Sequence, residues 1–392
     1  MYIVGIDVAK RSHEAVVTDH NGNILHKAFK FKNTREGFNK LISVLSKFGN
    51  PDEFTVGMES TSHYWMALYS QLNRKGFNVQ VLNPIQSNAL RGMYIRQVKN
   101  DEHDSFIIAE VIRFGRYTQG GLPPSKLYEL RELCRARFFI VDMVSELKRK
   151  VISLLDQVFP EYENIFSDIF GNTSCEILRN YSTLHEILDA DIEKLTEMIR
   201  TQSHKRYGLQ KAQQIKDIAA SSFGVLLGVH SMSLLIKQYI EHIRFAENQI
   251  KEMDEQIALM FSEFDTYIST IPGIGPVLGA AIFSEIGDIS KFASPSKLAA
   301  FAGIDPTVKQ SGEFASTHNH MSKRGSPYLR RAIWQASVLA SMVNPDIKIF
   351  FKKKMNEGKP YMNVIGHITK KMTNIIYAVL RDNKPYYSRT SA

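Results

Sequence analysis

YIVGIDVAK, residues 2–10, reads as a strand destined for the middle of a sheet, yet it carries a carboxylate, Asp7. An isolated charge in an apolar interior costs on the order of several kcal/mol unless a cation or metal compensates it. The stretch therefore predicts positive charge close to Asp7.

The residues that follow set its surroundings. Glu14–Thr18 reads as a second strand, His20-Asn21-Gly22-Asn23 as a turn and Ile24–Phe31 as a third strand, so two hairpins are expected. Asn33 or Thr34 caps a helix running to Phe48. A β-branched run, Phe54–Met58, ends in Glu59. A helix over Ser62–Lys75, a strand over Asn78–Leu82 and a helix opened by Pro84 complete the pattern. Antiparallel strands followed by alternating helices and strands predict an α/β ribonuclease-H-like domain over residues 1–118.

In that fold the first strand, the fourth strand and the next helix converge at one sheet edge. KNDEHDSFIIAEVIR, residues 99–113, supplies Asp101 and Asp104, which share one side of a helix at this spacing. Glu102 and His103 alternate with them and point elsewhere. Asp7, Glu59, Asp101 and Asp104 are thus candidate ligands for two Mg²⁺ ions. Such a pair, about 4 Å apart, clamps the attacking and leaving oxygens of a phosphoryl transfer. Singly, each acid has a plainer reading. Asp-x-x-Asp is a common helix cap or solvated face, and Glu59 suits the first turn of a helix. The order of all four on these elements favours the metal site.

GRYTQGGLPPSK, residues 115–126, breaks any regular element with Gly120-Gly121 and Pro123-Pro124. A middle region over 119–264 follows. Leu147, Val151, Leu154 and Val158 fall on one helical face, and Ile236, Ile243, Ile250 and Ile257 recur every seven residues. Tyr239, Ala246, Met253 and Met260 fill the second heptad position, so a helical coiled-coil arm is expected. The arm either packs its two long helices on each other within one chain or joins copies into a homodimer or tetramer; the sequence favours the second. The insert over 161–231 carries no motif with a chemical reading.

The remainder, 265–392, is mainly helical and basic. From Ile289 to Ala392 there are 17 Lys and Arg against 5 Asp and Glu, within a chain whose net charge is +9. Such a field favours phosphate polyanions. Ile271-Pro272-Gly273-Ile274-Gly275, before an apolar helix, matches the hairpin of a helix-hairpin-helix motif. Gly273 and Gly275 there would let a phosphate approach the backbone and a helix N-terminus; a packing turn is the alternative. Lys323, Arg324, Arg330 and Arg331 flank a further helix and are candidate nucleic-acid contacts. Gln310-Ser311-Gly312 lies in the polar loop before them, where a serine is ordinarily a turn residue. Two cysteines, Cys134 and Cys175, give neither zinc spacing nor a disulfide framework, which points to a reducing, cytoplasmic setting. No apolar run long enough for a membrane span occurs.

At GIDVAK, MESTSHYW, KNDEHDSFIIAEVI, IPGIGPVLGAAIFSEIGDISKF and LAAFAGIDPTVKQSGEFASTHNHMSKRGSPYLRRAIWQA, the chain resembles the DEDD-type transposases of bacterial insertion sequences. The resemblance spans all but the helical insert. Ser105 departs from it, since the family usually has alanine after the last aspartate. It implies a RuvC-like N-terminal domain, a C-terminal transposase domain with a catalytic serine, and a recombinase that uses a noncoding bridge RNA to pair donor and target DNA. Ser311, followed by Gly312, is the serine that the resemblance designates. Glu313, His318 and His320 are candidate bases near it, and the carboxylate–metal site is the alternative activator, in a composite site within one chain or across a dimer. The implied setting is the bacterial nucleoid.

Three other classes compete. An actin-like sugar kinase or ATPase also opens on strand, Asp and hairpin, but it needs small residues after the aspartate, where Val8, Ala9, Lys10 and Arg11 stand. A junction-resolving nuclease would use the same acids for hydrolysis alone. A non-catalytic DNA-binding protein would leave the four acids without a task.

Overall fold

The computed structural model describes residues 1–91, 101–115, 117, 121–225, 227–306, 310–311, 314–315 and 320–388. For Asp101, Glu102 and the residues at 310, 311, 314 and 315 it describes the backbone. Two compact units result, Met1–Ser125 and Lys126–Ala392.

The first unit is built on five strands: β1 (Tyr2–Asp7), β2 (Ser12–Asp19), β3 (Ile24–Lys32), β4 (Phe54–Glu59) and β5 (Asn78–Leu82). Their order is β3-β2-β1-β4-β5, with β1 to β3 antiparallel and β4 and β5 parallel to β1. This is the ribonuclease-H-like arrangement expected. The β2–β3 turn is tight because Asp19 accepts from the amides of Asn21 and Asn23 at 2.9 and 2.8 Å, and Gly22 takes φ +90°. Strand alternation sends Val4, Ile6, Val56 and Met58 to one face. There they meet Leu41 and Leu45 of α1 (Arg35–Leu45) and Leu68 and Leu72 of α2 (Trp65–Arg74). Thr34, not Asn33, caps α1, its hydroxyl accepting from the Gly37 amide. Beyond β5, α3 (Pro84–Arg91) leads towards α4 (Asp101–Phe114). On the other sheet face Ile3 and Val16 pack with Ile108, Ala109 and Ile112 of α4.

The second unit opens with α5 (Ser125–Val158) and continues through α6 (Asn172–Asn180), α7 (Leu184–Asp189), α8 (Ile192–Gln202), α9 (Leu209–Ser221) and α10 (Val229–Ser262). α5 and α10 run antiparallel, as their ion pairs fix: Lys126 with Glu263, Arg137 with Asp254, Lys148 with Glu247. Ile236, Ile243 and Ala246, expected at heptad positions, are buried against Val144, Val151 and Leu155 of α5 and against the insert. The stripe expected to join two copies is therefore covered inside one chain, because α5 presents an equally apolar face to it.

The basic end comprises α11 (Pro276–Ile286), α12 (Pro295–Ala302), two short strands β6 (Gln310–Ser311) and β7 (Phe314–Ala315), α13 (Pro327–Val343), α14 (Pro345–Asn356) and α15 (Tyr361–Asp382). Ile282, Leu298, Ile333, Ala336, Ile368 and Met372 form its core. Leu130, Cys134 and Phe138 of α5 join the same core, so residues on both sides of the expected 264/265 boundary share one interior. Burial pushes the Cys134 thiol up to about 12 and the Cys175 thiol up to about 11, which removes both from thiolate chemistry at neutral pH. Among the described residues, no helix is long and apolar enough to cross a membrane.

Candidate active site

Asp7 ends β1 and Glu59 ends β4. The parallel register pairs Ile6 with Met58, so the two acids occupy the next positions on adjacent strands. Alternation from Ile3 and Gly5 puts Asp7 on the α4 face, and alternation from Gly57 puts Glu59 there too. Both are half-buried.

What brings α4 to them is a pair of glycines. A Cβ at Gly5 would stand 2.0 Å from the Ser105 carbonyl oxygen and 2.6 Å from the Ala109 nitrogen. A Cβ at Gly57 would stand 2.6 Å from Ile112 Cγ1. The helix thus lies against bare backbone, and its first turn, with Asp104, reaches the carboxylate end of the strands. Ser105, whose carbonyl makes that contact, is fully buried.

Three of the four expected acids are described. Asp104 is half-buried and accepts from Arg91 Nη2 at 2.9 Å. Glu59 accepts from the Thr61 hydroxyl at 3.4 Å. Asp101 opens α4, and its side chain lies outside the described residues. Among the described residues, no group of three or more His, Cys, Asp or Glu is drawn together as a metal cage. The donors nevertheless suit a hard divalent cation, being carboxylate oxygens that leave room for waters. Arg91 is the positive charge that Asp104 holds here, and its Nε is buried without a hydrogen-bond partner. Its Nη1 donates to Asn88 Oδ1 at 2.6 Å.

Sequence reasoning missed an acid beside Asp7. Glu14 stands directly opposite Asp7 in the β1–β2 ladder, is 7% exposed, and meets Lys30 Nζ at 3.5 Å. The signal was available, since cross-strand partners share a face and Glu14 alternates with buried Val16.

The serine segment is held differently. Ser311 pairs with Phe314 in the β6–β7 ladder. The Ser311 side chain, Gly312, Glu313 and His318 lie outside the described residues; His320 is exposed. The described residues on either side of the segment form a clasp. Ser322 donates its amide to Asp305 O at 2.8 Å, Lys323 to Gly303 O at 3.1 Å and Ser326 to Phe301 O at 2.8 Å. Gly325 is required there, since a Cβ would meet the Phe301 oxygen at 1.9 Å. Lys323 takes φ +54°, a left-handed conformation that costs a non-glycine residue about 1 kcal/mol.

Below the clasp sits a buried charge with no role assigned from the sequence. Glu285 of α11 is 5% exposed and takes Arg135 Nε and Nη2 at 2.6 and 3.1 Å. It also accepts from the Ser326 hydroxyl at 2.9 Å, and Ser326 caps α13 through the Leu329 amide. Arg135 stacks on Tyr328, with its guanidinium carbon 4.7 Å from the ring centre. One carboxylate therefore ties α5, α11 and the start of α13 together where the clasp ends.

The expected nucleic-acid contacts divide. Lys323 and Arg324 are exposed. Arg330 is engaged within the fold, donating to Ala302 O at 3.2 Å, and Arg331 donates to Asp142 at 2.7 Å while covering the Phe138 ring at 4.6 Å. Gly273 takes φ +102° and presses on α13, where a Cβ would meet Ala340 N at 2.6 Å. Gly275 is exposed before α11, with open space beside its Cα.

With this geometry in view, comparison with known proteins places the chain. Residues 4–160 match the DEDD transposase family of the IS110 group, and residues 265–352 match the transposase family of IS116, IS110 and IS902. The 44.8 kDa protein of insertion element IS116 from Streptomyces clavuligerus is 23% identical over 97% of this chain and 95% of its own. The pilin gene-inverting protein of Moraxella bovis is 24% identical over 98% of both chains. Among solved structures, RuvC of Thermus thermophilus matches 31% of this chain and all of its own at 17% identity, with a TM-score of 0.24. The chain belongs to the IS110-group DEDD transposases of insertion elements.

Proposed function

We propose that this transposase cuts and rejoins DNA strands with Ser311 as nucleophile and Asp7, Glu59, Asp101 and Asp104 as holders of divalent metal. The observation that supports the reading is the seating of α4 on Gly5 and Gly57, which turns the helix end that carries Asp104 towards the strand ends that carry Asp7 and Glu59. Mg²⁺ bound by those acids supplies positive charge to the phosphate and to the oxygens that attack and leave it.

The residues of the chain then have distinct tasks. The Ser311 hydroxyl gives up its proton to a base, for which Glu313, His318 and His320 are the candidates, and its Oγ attacks phosphorus; an Oγ–P bond forms as the bond from phosphorus to a deoxyribose oxygen breaks. The departing deoxyribose oxygen takes up a proton. In rejoining, a hydroxyl of the second strand attacks the phosphoserine and releases Ser311. Lys323 and Arg324, exposed beside the clasp, hold backbone phosphates and carry no base readout. Pairing of donor and target DNA by a bridge RNA completes the reading and rests on the family resemblance.

Denaturing gels with labelled donor and target DNA test it. Wild-type protein with Mg²⁺ is expected to trap a covalent protein–DNA adduct, and Ser311→Ala and Asp7→Asn to form none while keeping their thermal midpoints. Normal cleavage by Ser311→Ala would overturn the serine step and leave metal-dependent hydrolysis, as in a junction-resolving nuclease.

A further inference from the structure

From Pro345 to Ser388 the chain carries nine Lys and Arg against three Asp and Glu. Two of those acids are occupied locally, Asp382 by Arg381 and Asp346 by the Tyr386 hydroxyl at 2.6 Å. The third, Glu357, sits among lysines: Lys354 Nζ lies 2.9 Å and Lys359 Nζ 3.6 Å from its oxygens. Lys354 and Lys371 both lie over the Phe350 ring, at 5.7 and 4.6 Å from its centre. The ring joins α14 to α15 and gives the lysine stems an apolar surface to lie on, which limits where their ammonium groups go. His367, exposed on α15, reads the resulting field. Burial, then Lys359 and Lys354, and also Lys370, hold its pKa below the ordinary histidine value, against Glu357 alone.

Glu357 engages Lys354 and Lys359, and with Lys371 on the shared Phe350 ring and Lys370 beside His367 the surface keeps a surplus of positive charge. Most of it lies beyond residue 352, where the family match ends. We propose that this α14–α15 surface, centred on Lys354, Lys359, Lys370 and Lys371, binds the sugar–phosphate backbone of duplex DNA. Lysine suits the task, because a compact ammonium on a flexible stem accepts phosphate without demanding one geometry. With no base-reading groups in the cluster, binding here is indifferent to sequence and positions the duplex. The inference rests on the reading that the chain acts on DNA, and is independent of the Ser311 step.

Binding by the full-length protein without divalent cations, followed by fluorescence anisotropy of a labelled duplex over a salt series, separates the two. Each phosphate contact contributes a slope of about 0.9 in log K against log salt. The triple substitution Lys354→Gln, Lys370→Gln, Lys371→Gln is expected to lower the slope by about 2–3 and weaken binding more than tenfold at low salt, equally for unrelated sequences. Glu357→Gln, which removes the opposing carboxylate, is expected to tighten binding several-fold, a gain that a folding defect does not produce. An unchanged slope in the triple variant, no gain in Glu357→Gln, or a loss seen with an RNA duplex but not with DNA would overturn the proposal. Failure of Ser311 to form an adduct would leave these results untouched.

Discussion

Gly5 and Gly57 stand opposite each other in the parallel β1–β4 ladder, and α4 crosses both, its backbone against Gly5 and its Ile108 and Ile112 side chains against Gly57. The catalytic reading depends on this contact more than on any single acid, since it sets how close Asp104 comes to Asp7 and Glu59.

Gly5→Ala tests the contact. The added methyl meets the Ser105 carbonyl and the Ala109 amide, backbone atoms that cannot swing aside. Overpacking of this kind costs about 2–3 kcal/mol, and the helix must lift. Strand cleavage is expected to fall by orders of magnitude, with a lower thermal midpoint by calorimetry. Near-normal activity would show that the acids do not depend on the seating of α4.

Arg91→Gln addresses the cation that Asp104 now holds. Removing the guanidinium leaves Asp104 without its 2.9 Å partner and increases the negative charge available to a divalent ion. The Mg²⁺ concentration for half-maximal cleavage is expected to fall several-fold. A rise instead would mean that Arg91 serves the reaction directly, for which its unpartnered Nε leaves a donor.

Glu285→Ala removes the buried charge beneath the clasp. Arg135 loses its bidentate acceptor and Ser326 loses its hydroxyl's partner. Arg135 is about a third exposed, so solvent recovers part of the loss, and a cost of about 2–3 kcal/mol is expected in urea unfolding. Glu285→Gln keeps an acceptor for Ser326 and is expected to lose roughly half as much. Equal losses would assign the whole effect to the charge.

Glu186, in the insert, gives a pH dependence. Burial pushes its carboxyl up, but Lys237 Nζ at 2.6 Å, the Ser182 amide at 2.7 Å and the Ser233 hydroxyl at 2.8 Å outweigh it, so its pKa is lowered. A carboxyl depressed in the folded state stabilises fully above its unfolded value, near pH 4.3, and that stability is lost as pH falls through the folded value. Between pH 6 and pH 3, wild-type protein is therefore expected to lose more thermal stability than Glu186→Gln. Parallel losses would remove Glu186 from the acid response.

Much of this was legible in advance, and the reasons are local. The order of strands and the positions of Asp7 and Glu59 follow from alternation, and Asn78–Leu82 is bounded as its β-branched run predicts. Period-two and period-seven patterns report which face is apolar, but not which neighbour covers it. That is why Ile236 and Ile243 read as a dimer seam and prove to be covered by α5 and the insert. The same limit hid the engagement of Arg330 and Arg331, whose acceptors, Ala302 O and Asp142, are distant in sequence. Glu285 escaped notice because a glutamate within an apolar helix has no pattern of its own; only Arg135, 150 positions away, gives it meaning.

The antiparallel pair of α5 and α10 also has a genetic consequence. Each helix has 34 residues, a length of about 51 Å at 1.5 Å per residue. One end of the pair is sealed into the basic core and the other into the insert, with separate hydrophobic clusters. The separation of the two clusters is therefore counted out in codons. A deletion of seven residues in one helix alone would throw Arg137–Asp254 and Lys148–Glu247 out of step. Matched deletions placed beyond Lys148 and Glu247, on the insert side, would spare both pairs and draw the insert about 10 Å inward, so reach along this axis can change by inheritance without redesigning the basic end.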